Sequence, residues 1–319
     1  MDSVLVGDVG GTSCRFALAG RGDGKIALRA FEKLSNDDFI SFSDALSSYV
    51  SGLEAPAPAV ALFALAGPPR SDGSVTLTNR DWPTVHPADL EGSVGFDRVT
   101  LVNDFAAMAR AIPELPRDVF ETILPGEPRQ GAPILVTGPG TGFGISTLIE
   151  QEPGTWRVLT GEGGHAAFAA RTLREASVAG KLGEVHGFVS TEAIVSGGWL
   201  QMVYAAIADL HNAPRRSYSA QDILDRAESG DPVCVEVCEL RGRAIMGAAG
   251  DAALITGAQG GVVLTGGVAE RMPKWLRAAE TRFRDRGART PWMADIPVSV
   301  LHAPEAPLIG AAALAFDSG

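Results

Sequence analysis

A glycine-rich segment near the start of the chain carries the first residues that could do chemistry. The sequence GDVGGT, residues 7–12, combines an acid, two adjacent glycines and a threonine. Gly10 and Gly11 let backbone N–H groups come close to phosphate oxygens, and the hydroxyl of Thr12 adds a further donor. Asp8 can hold a hydrated Mg²⁺ that offsets the phosphate charge. The segment predicts a phosphate-binding loop, although an ordinary hairpin turn uses glycine in a similar way.

Two other kinds of nucleotide-binding loop do not fit this segment. A P-loop needs Gly-Lys-Ser/Thr at the start of a helix, and no such triplet occurs in the chain. A dinucleotide-binding GxGxxG motif lies between a strand and a helix, whereas RFAL at residues 15–18 alternates like a strand. The context of the glycines is therefore strand, turn, strand.

A second glycine segment, GPGTG at residues 138–142, again follows an apolar run. It offers the same backbone donors and a threonine, without the acid. Two such segments in matching contexts favour a phosphate clamp over two unrelated turns. Later in the chain, Gly266 and Gly267 end an apolar strand before a predicted helix. They either let a flat base approach the backbone or simply form a tight strand-to-helix connection.

Asn103 and Asp104 stand where a predicted buried strand ends and a helix begins. An Asn or Asp at such a point can be a simple N-cap, which is worth ~1 kcal/mol. A carboxylate at the carboxyl end of a strand in an α/β protein also faces the crevice where ligands bind. There it can accept a hydroxyl proton during phosphoryl transfer. The residues alone leave both interpretations open.

The sequence EGGH, residues 162–165, places a carboxylate and an imidazole on one short loop. Both groups can hydrogen-bond vicinal hydroxyls, because a carboxylate accepts and a neutral imidazole offers one donor and one acceptor. A zinc site needs three or four ligands, so sugar hydroxyls fit this pair better. Glu192 comes shortly after a capping-type serine or threonine, where it could be only a first-turn helix acid.

Composition limits the class of protein. The chain has 319 residues, of which 45% are hydrophobic, and its net charge is −11. This length predicts two domains with substantial cores. The negative charge has the wrong sign for binding nucleic-acid phosphates or anionic lipids, so neither a nucleic acid nor a membrane is an expected partner.

Cysteine usage and the apolar runs predict a cytoplasmic protein. No apolar run approaches the ~20 residues of a membrane span, and the first residues lack the basic region of a signal peptide. The three cysteines, Cys14, Cys234 and Cys238, suit a reducing compartment better than a disulfide framework. The four-residue spacing of Cys234 and Cys238 predicts two small core residues on one face of a helix.

The elements that must position the polar residues follow from the apolar pattern. Short apolar runs between glycine turns in residues 1–30 predict an antiparallel meander. PAVALFALAG and residues 99–102 predict buried strands, and VTLTNRDW, residues 75–82, predicts a weak strand. A helix after the second buried strand is predicted from apolar residues at helical spacing, Phe105, Met108, Ala109 and Ile112.

The same pattern restarts in the middle of the chain. APILVTGPGTGFGISTLI is again strand, glycine turn, strand, and the segments after it are rich in predicted helix. PLIGAAALAF predicts a final amphipathic helix that packs on an earlier unit. Four prolines from Pro113 to Pro128 mark the best candidate for the crossing between domains.

Taken in order, GDVGGT, LTNRDW, LVNDFAA, GPGTGFG, GEGGHAAF, VHGFVSTEAIVSGG, LTGGVAERM and PLIGAAALA span nearly the whole chain. This combination resembles the bacterial glucokinase family of ATP-dependent hexokinases. The resemblance implies an α/β protein with the two-domain actin-like ATPase (ribonuclease H-like) fold and a ligand cleft between the domains. The small domain would comprise residues 1–114 plus 305–319, and the large domain residues 115–304.

The resemblance also implies an activity, the transfer of the γ-phosphoryl group of ATP to the 6-hydroxyl of glucose by a cytoplasmic homodimer. Asp104 would be the catalytic base. The hexose would be held by Asn103, Asp104, Glu162, His165 and Glu192. ATP would be bound by Asp8, Gly10, Gly11, Thr12, Gly138, Gly140 and Thr141, to which we add Gly266 and Gly267, with Mg²⁺ held by Asp8 through water.

Three positions depart from the pattern of that family. Ser13 and Cys14 stand where the family usually has Asn and Ala, and Ala167 stands where it usually has Asp. These positions flank the first glycine loop and the sugar loop, so they bear on nucleotide affinity and on strictness for glucose. The alternatives are a catalytically weak sugar-binding or regulatory protein on the same fold, or a kinase for another hexose.

Overall fold

The computed structural model of the protein describes residues 3–22 and 24–318. The chain divides into two compact units. The first contains the residues up to Arg117, residues Trp156–Thr160 and the residues from Ala303 onward. The second contains Asp118–Thr155 and Gly161–His302.

The first unit is built on a five-stranded sheet with the spatial order β3-β2-β1-β4-β5. Strands β1 to β3 are antiparallel neighbours, which confirms the predicted meander, and β4 and β5 run parallel to β1. The strands are β1 (Val4–Val9), β2 (Ser13–Gly22), β3 (Lys25–Ser35), β4 (Val60–Leu65) and β5 (Arg98–Asn103).

Both faces of this sheet are covered, because alternate residues of β1 point to opposite sides. Leu5 packs into an aromatic cluster with Phe16, Phe42 and Phe63, whereas Val4 packs against the last helix. The helices of the unit are α1 (Phe42–Ser51), α2 (Pro87–Val94), α3 (Asp104–Ala111) and α12 (Ala306–Asp317).

Helix α3 forms as predicted, but of the four apolar residues that predicted it only Ala109 is fully buried. Phe105 and Met108 are only half-buried, whereas Ala107 and Ala111 are fully buried. A Cβ at Gly310 of α12 would lie 1.7 Å from the carbonyl oxygen of Ala107, so the two helices are in backbone contact. Only small residues fit at such a crossing, and the larger side chains are therefore turned away.

The predicted strand at residues 75–82 is wrong. Val75 makes one isolated antiparallel bridge with Val85, and the rest of the segment is turn and loop. Its backbone and side chains bond elsewhere: Thr78 N donates to Ala66 O, and Arg80 reaches the residues after β3. These contacts replace the ladder of hydrogen bonds that a strand would need.

The second unit repeats the hairpin arrangement of the first. Strand β7 pairs antiparallel with β8 across a glycine turn and parallel with β10, within the order β6-β11-β10-β7-β8. Strand β1 likewise has an antiparallel and a parallel neighbour. The strands are β6 (Phe120–Leu124), β7 (Ile134–Pro139), β8 (Phe143–Glu152), β10 (Val262–Leu264) and β11 (Val298–Leu301). Strand β9 (Thr155–Gly161) has most of its residues, Trp156–Thr160, in the first unit.

A 25-residue helix, α8, forms the centre of this unit's core. It begins after Asp231, which caps it, and ends at Gly257 in the left-handed conformation. The helices are α4 (Leu173–His186), α5 (Thr191–Val195), α6 (Leu200–Leu210), α7 (Ala220–Glu228), α8 (Pro232–Thr256), α9 (Pro273–Ala278), α10 (Glu280–Arg284) and α11 (Thr290–Met293). Within residues 3–22 and 24–318, none of the helices has the length and apolar character needed to cross a membrane.

The three cysteines are buried and unpaired, and Cys234 and Cys238 are core residues of α8 as predicted. Burial raises the pKa of Cys14 and Cys234 to about 12 and that of Cys238 to about 11. Since the thiolate is the reactive form, we expect the native protein to resist iodoacetamide at mildly alkaline pH and the denatured protein to react at all three thiols. Mass spectrometry of both samples measures this, and rapid labelling of the native protein would contradict it.

Candidate active site

The first glycine loop, residues 10–12, connects β1 to β2. Gly10 is not in the left-handed conformation, and a Cβ added to it would meet nothing within 4 Å. A Cβ on Gly11 would lie 3.1 Å from the carbonyl oxygen of Asn79. Packing therefore favours glycine at Gly11, whereas neither backbone conformation nor internal packing requires it at Gly10.

Asp8 and Arg15 face each other across β1 and β2. Arg15 Nε donates to Asp8 Oδ2 at 2.7 Å, and the carboxylate is buried. Burial raises the pKa of Asp8, and the Arg15 guanidinium opposes that rise by favouring the charged form. Arg15 is not among the site residues predicted from the sequence, although its spacing from Asp8 across a short hairpin could have indicated the pair.

The carboxylate of Asp8 alone cannot supply all the ligands of a metal ion. Among the described residues there is no group of three or more His, Cys, Asp or Glu that could hold one. Mg²⁺ is commonly bound through one or two carboxylates with water and substrate phosphates as the other ligands. Asp8, with Oδ2 committed to Arg15, fits such a water-mediated role.

Asn103 is the N-cap of α3, and Asp104 is the first residue of the helix. The side-chain oxygen of Asn103 accepts from Phe105 N at 3.0 Å, and its Nδ2 donates to Gly67 O at 3.3 Å. Asp104 Oδ1 also accepts from Phe105 N, at 2.9 Å. The capping function that the sequence left open between the two residues thus belongs mainly to Asn103.

Strand register brings these groups to one edge of the first sheet. Val9, Leu65 and Asn103, the last residues of three parallel strands, are aligned in register. The segments that follow them are the glycine loop, the turn containing Gly67 and the start of α3. The phosphate-type loop and Asp104 are therefore neighbours on the same unit.

The second glycine loop, residues 138–142, contains glycines with different requirements. A Cβ on Gly138 would lie 1.8 Å from the carbonyl oxygen of Thr265, so β7 and β10 can pair there only through glycine. Gly140 resembles Gly10: it is not left-handed, and its Cβ would meet nothing within 4 Å. The main chain holds Gly140 in place, since its carbonyl accepts from Gly197 N at 2.9 Å.

The third glycine segment contacts the second. Gly266 has φ +92°, and its Cβ would lie 2.7 Å from the carbonyl oxygen of Pro139. Val268 N donates to that same carbonyl at 3.3 Å. Gly267 follows in the turn and accepts from Arg271 Nε at 2.7 Å. Gly266 is therefore required by backbone packing against the residues that enter the second loop.

Glu162 and His165 bracket a single 3-10 turn after β9. Their side chains are 62% and 59% exposed, and His165 Nε2 lies 3.9 Å from Glu162 Oε2. A Cβ on Gly164 would lie 1.9 Å from the carbonyl oxygen of Phe143, so glycine lets the turn lie directly on the start of β8. The turn presents a carboxylate and an imidazole side by side at the surface of the unit.

Glu192 ties this turn and the second glycine loop together. It is in the first turn of α5, which Ser190 caps, and its Oε2 accepts from Phe143 N at 2.7 Å. The preceding residue, Thr191, donates its N–H to Ala166 O at 2.9 Å. Glu192 is therefore more than a first-turn acid, because it fixes the end of the loop that precedes β8.

The chain is similar to known proteins over nearly its whole length. A family model described as Glucokinase matches residues 5–318. The glucokinase of Chromobacterium violaceum is 35% identical over 312 residues, covering 97% of this chain and 88% of that protein.

Solved structures agree with these sequence matches. The crystal structure of a glucokinase from an Antarctic psychrotroph has a TM-score of 0.85 at 32% identity, with 98% of each chain covered. The glucokinase of Balamuthia mandrillaris in complex with glucose has a TM-score of 0.83 at 21% identity, covering 98% of this chain and 93% of that one, and shows likeness of fold. The family match includes both glycine loops, Asp104 and the Glu162–His165 turn, and the chain therefore belongs to the glucokinase family.

Proposed function

We propose that this protein is an ATP-dependent glucokinase with the two-domain actin-like ATPase (ribonuclease H-like) fold. It transfers the γ-phosphoryl group of ATP to the 6-hydroxyl of glucose. The observation that carries the proposal is the pair of glycines Gly10 and Gly140, one in each of two similar hairpins. Within the part of the chain that the structure describes, no close contact and no left-handed φ requires glycine at either position. Close approach of a ligand to the backbone does explain it.

In this proposal, Gly11, Thr12, Gly138 and Thr141 line the path of the ATP phosphates beside Gly10 and Gly140. The N–H groups of Gly10 and Gly140 donate to Ser13 O and Gly142 O, so these two glycines provide space for the phosphates rather than donors. Gly266 and Gly267 provide a flat backbone surface for the base. Mg²⁺, when bound, offsets phosphate charge, and Asp8 holds its water ligands. Arg15 limits the repulsion between Asp8 and the phosphates, because it places a positive charge within hydrogen-bonding distance of the carboxylate.

The sugar is bound by Asn103, Glu162, His165 and Glu192, and Asp104 accepts the proton of the attacking hydroxyl. Phosphoryl transfer depends chiefly on positioning and charge stabilisation, so the base must be held in place rather than be unusually strong. Asp104 meets this requirement because it lies on the first turn of α3, whose N-cap is Asn103. Exclusion of water from the bound sugar would prevent hydrolysis of ATP.

We also propose that the protein is a cytoplasmic homodimer. Three buried, unpaired cysteines support a reducing compartment. The homodimer rests on the resemblance to the glucokinase family. The domain bounds predicted from the sequence, residues 1–114 plus 305–319 and residues 115–304, stay part of this proposal.

A kinase for another hexose is the second candidate, and Ala167 favours it. Ala167 pairs with Ser190 in a backbone bridge beside the sugar turn, and its exposed methyl group stands where the family resemblance predicts an aspartate. A hydroxyl acceptor is thereby lost next to His165. Comparing kcat/KM for glucose, mannose and glucosamine distinguishes the two candidates.

Asp104→Asn should remove at least ~100-fold from kcat for ATP-dependent phosphorylation of glucose, because an amide can hydrogen-bond the hydroxyl but cannot take its proton. The fold should persist, since Asn103 caps α3 and an asparagine at 104 can still accept from Phe105 N. A coupled assay for ADP release measures the change. Asp89→Asn, which alters the first-turn acid of α2, is the matched control and should keep its turnover. Near wild-type turnover in Asp104→Asn would refute the assigned base.

Glu162→Ala should raise KM for glucose about tenfold, the lower end of the range for charged hydrogen bonds, because the free side chain is well hydrated. His165→Ala should act in the same direction, with KM for ATP unchanged in both. Steady-state kinetics with each substrate varied separately measures this. Glu184→Ala on α4 is the control for loss of an exposed acid. An unchanged KM for glucose would remove Glu162 from the sugar site.

Gly10→Val and Gly140→Val should each weaken ATP binding at least tenfold while leaving the melting temperature nearly unchanged, since the added side chains meet no protein atoms within 4 Å of Cβ. Gly22→Val, also at an open glycine, is the control and should bind ATP normally. Titration calorimetry measures the affinities. Retained ATP affinity in both loop variants would mean that the loops are ordinary hairpin turns.

A further inference from the structure

A buried asparagine, Asn36, donates hydrogen bonds to both ends of the first glycine loop. Asn36 follows β3 and has no exposed surface. Its backbone N–H donates to Thr12 O at 3.0 Å, and its side-chain Nδ2 donates to Gly10 O at 2.9 Å. These two carbonyls lie at the two ends of residues 10–12. Together with the hydrogen bond from Gly10 N to Ser13 O at 3.1 Å, these two bonds fix the direction of the loop's peptide groups.

The Cys14 thiol and the Gly10 carbonyl together fix the orientation of the Asn36 amide. Cys14 Sγ donates to Asn36 Oδ1 at 3.0 Å, and both side chains are fully buried. Burial raises the pKa of Cys14 to about 12, so the thiol keeps its proton at neutral pH. If the amide were turned over, Oδ1 would face the carbonyl oxygen of Gly10, and two acceptors would be opposed.

Arg80 fixes the backbone of the same asparagine. Its Nη2 donates to Asn36 O at 2.6 Å, and its Nη1 pairs with Asp37 at 2.5 Å. The neighbouring Asn79 lies against Gly11. The loop is thus held between the residues after β3 and the 79–80 turn. The Asn36 amide also accepts from Cys14, which stands where the family resemblance predicts Ala.

We propose that Cys14 and Asn36 are a positioning pair that sets the affinity of the first glycine loop for the phosphates of a nucleoside triphosphate. The pair does not touch the ligand. It holds the Gly10 carbonyl in a direction that leaves the loop's N–H groups ordered before binding, which lowers the entropic cost of binding. This inference rests on the proposed function, because it assumes that the loop binds ATP.

Cys14→Ala removes the donor and leaves Asn36 in place. We expect it to raise both KM and Kd for ATP about three- to tenfold, the worth of one hydrogen bond, with kcat and KM for glucose unchanged. Cys14→Ser keeps a donor and should restore much of the affinity. Asn36→Ala should weaken ATP binding further. Cys238→Ala removes an equally buried thiol from α8 and is the control, with normal affinity for ATP.

Two measurements separate positioning from general stability: ATP titration by calorimetry and the melting temperature of each variant. Wild-type ATP affinity in Cys14→Ala would overturn the pair. A rise in KM for ATP and glucose alike, or the same loss in Cys238→Ala, would also overturn it. If Asn36→Ala does not fold, the difference in ATP affinity between Cys14→Ala and Cys14→Ser still tests the positioning pair. Wild-type protein that binds ATP but does not phosphorylate glucose would refute the proposed function alone.

Discussion

Parallel pairing of β1, β4 and β5 is the constraint on which the first unit's chemistry depends. Because the three strands run in the same direction and end in register, the segments that leave them meet at one sheet edge. Residues 10–12 and Asp104 are far apart in sequence, yet this alignment makes them neighbours. The antiparallel return of β2 then places Arg15 opposite Asp8. This edge of the sheet thus combines the backbone of residues 10–12, the Asp8 carboxylate paired with Arg15, and the Asp104 carboxylate at the start of α3.

Close backbone contact plays the corresponding part in the second unit. Gly138 packs against Thr265, Gly164 against Phe143 and Gly266 against Pro139. In each case an added Cβ would lie too close to a backbone carbonyl oxygen for any side chain to fit. These three contacts bring β10, the sugar turn and the second loop together. Glu192 then bonds to Phe143 N and fixes the end of the loop. Substituting these glycines would disturb the packing of the unit as well as the binding of any ligand. Their variants are therefore poor probes of binding.

Much of this arrangement could be predicted from the sequence, because it depends on local pattern. The meander, the strand-to-helix junction at Asn103 and the core cysteines of α8 all follow from periodicity and spacing. The strand predicted at residues 75–82 is wrong because VTLT alternates like a strand, while the hydrogen bonds of the segment go to Ala66 and to the residues after β3. Asn36 and Arg80 could not be found at all. Each is a single polar residue in a loop, and its partner is defined only by the fold.

The glycines show why the sequence could identify the loops but not explain them. GDVGGT and GPGTG both contain three glycines and a threonine, yet within GPGTG Gly138 is required by packing and Gly140 is not. A glycine that the fold itself needs carries no information about a ligand. Open space and an ordinary φ are also found at Gly22, so it is the position of Gly10 and Gly140 in two matching hairpin loops that points to a ligand. The same distinction applies to polar residues. Asn36 is fully buried and bonds to Gly10, Thr12 and Cys14, so it influences a ligand through the shape of the loop. Asp8 is committed on one oxygen only, and its charge, offset by Arg15, can still attract a hydrated cation.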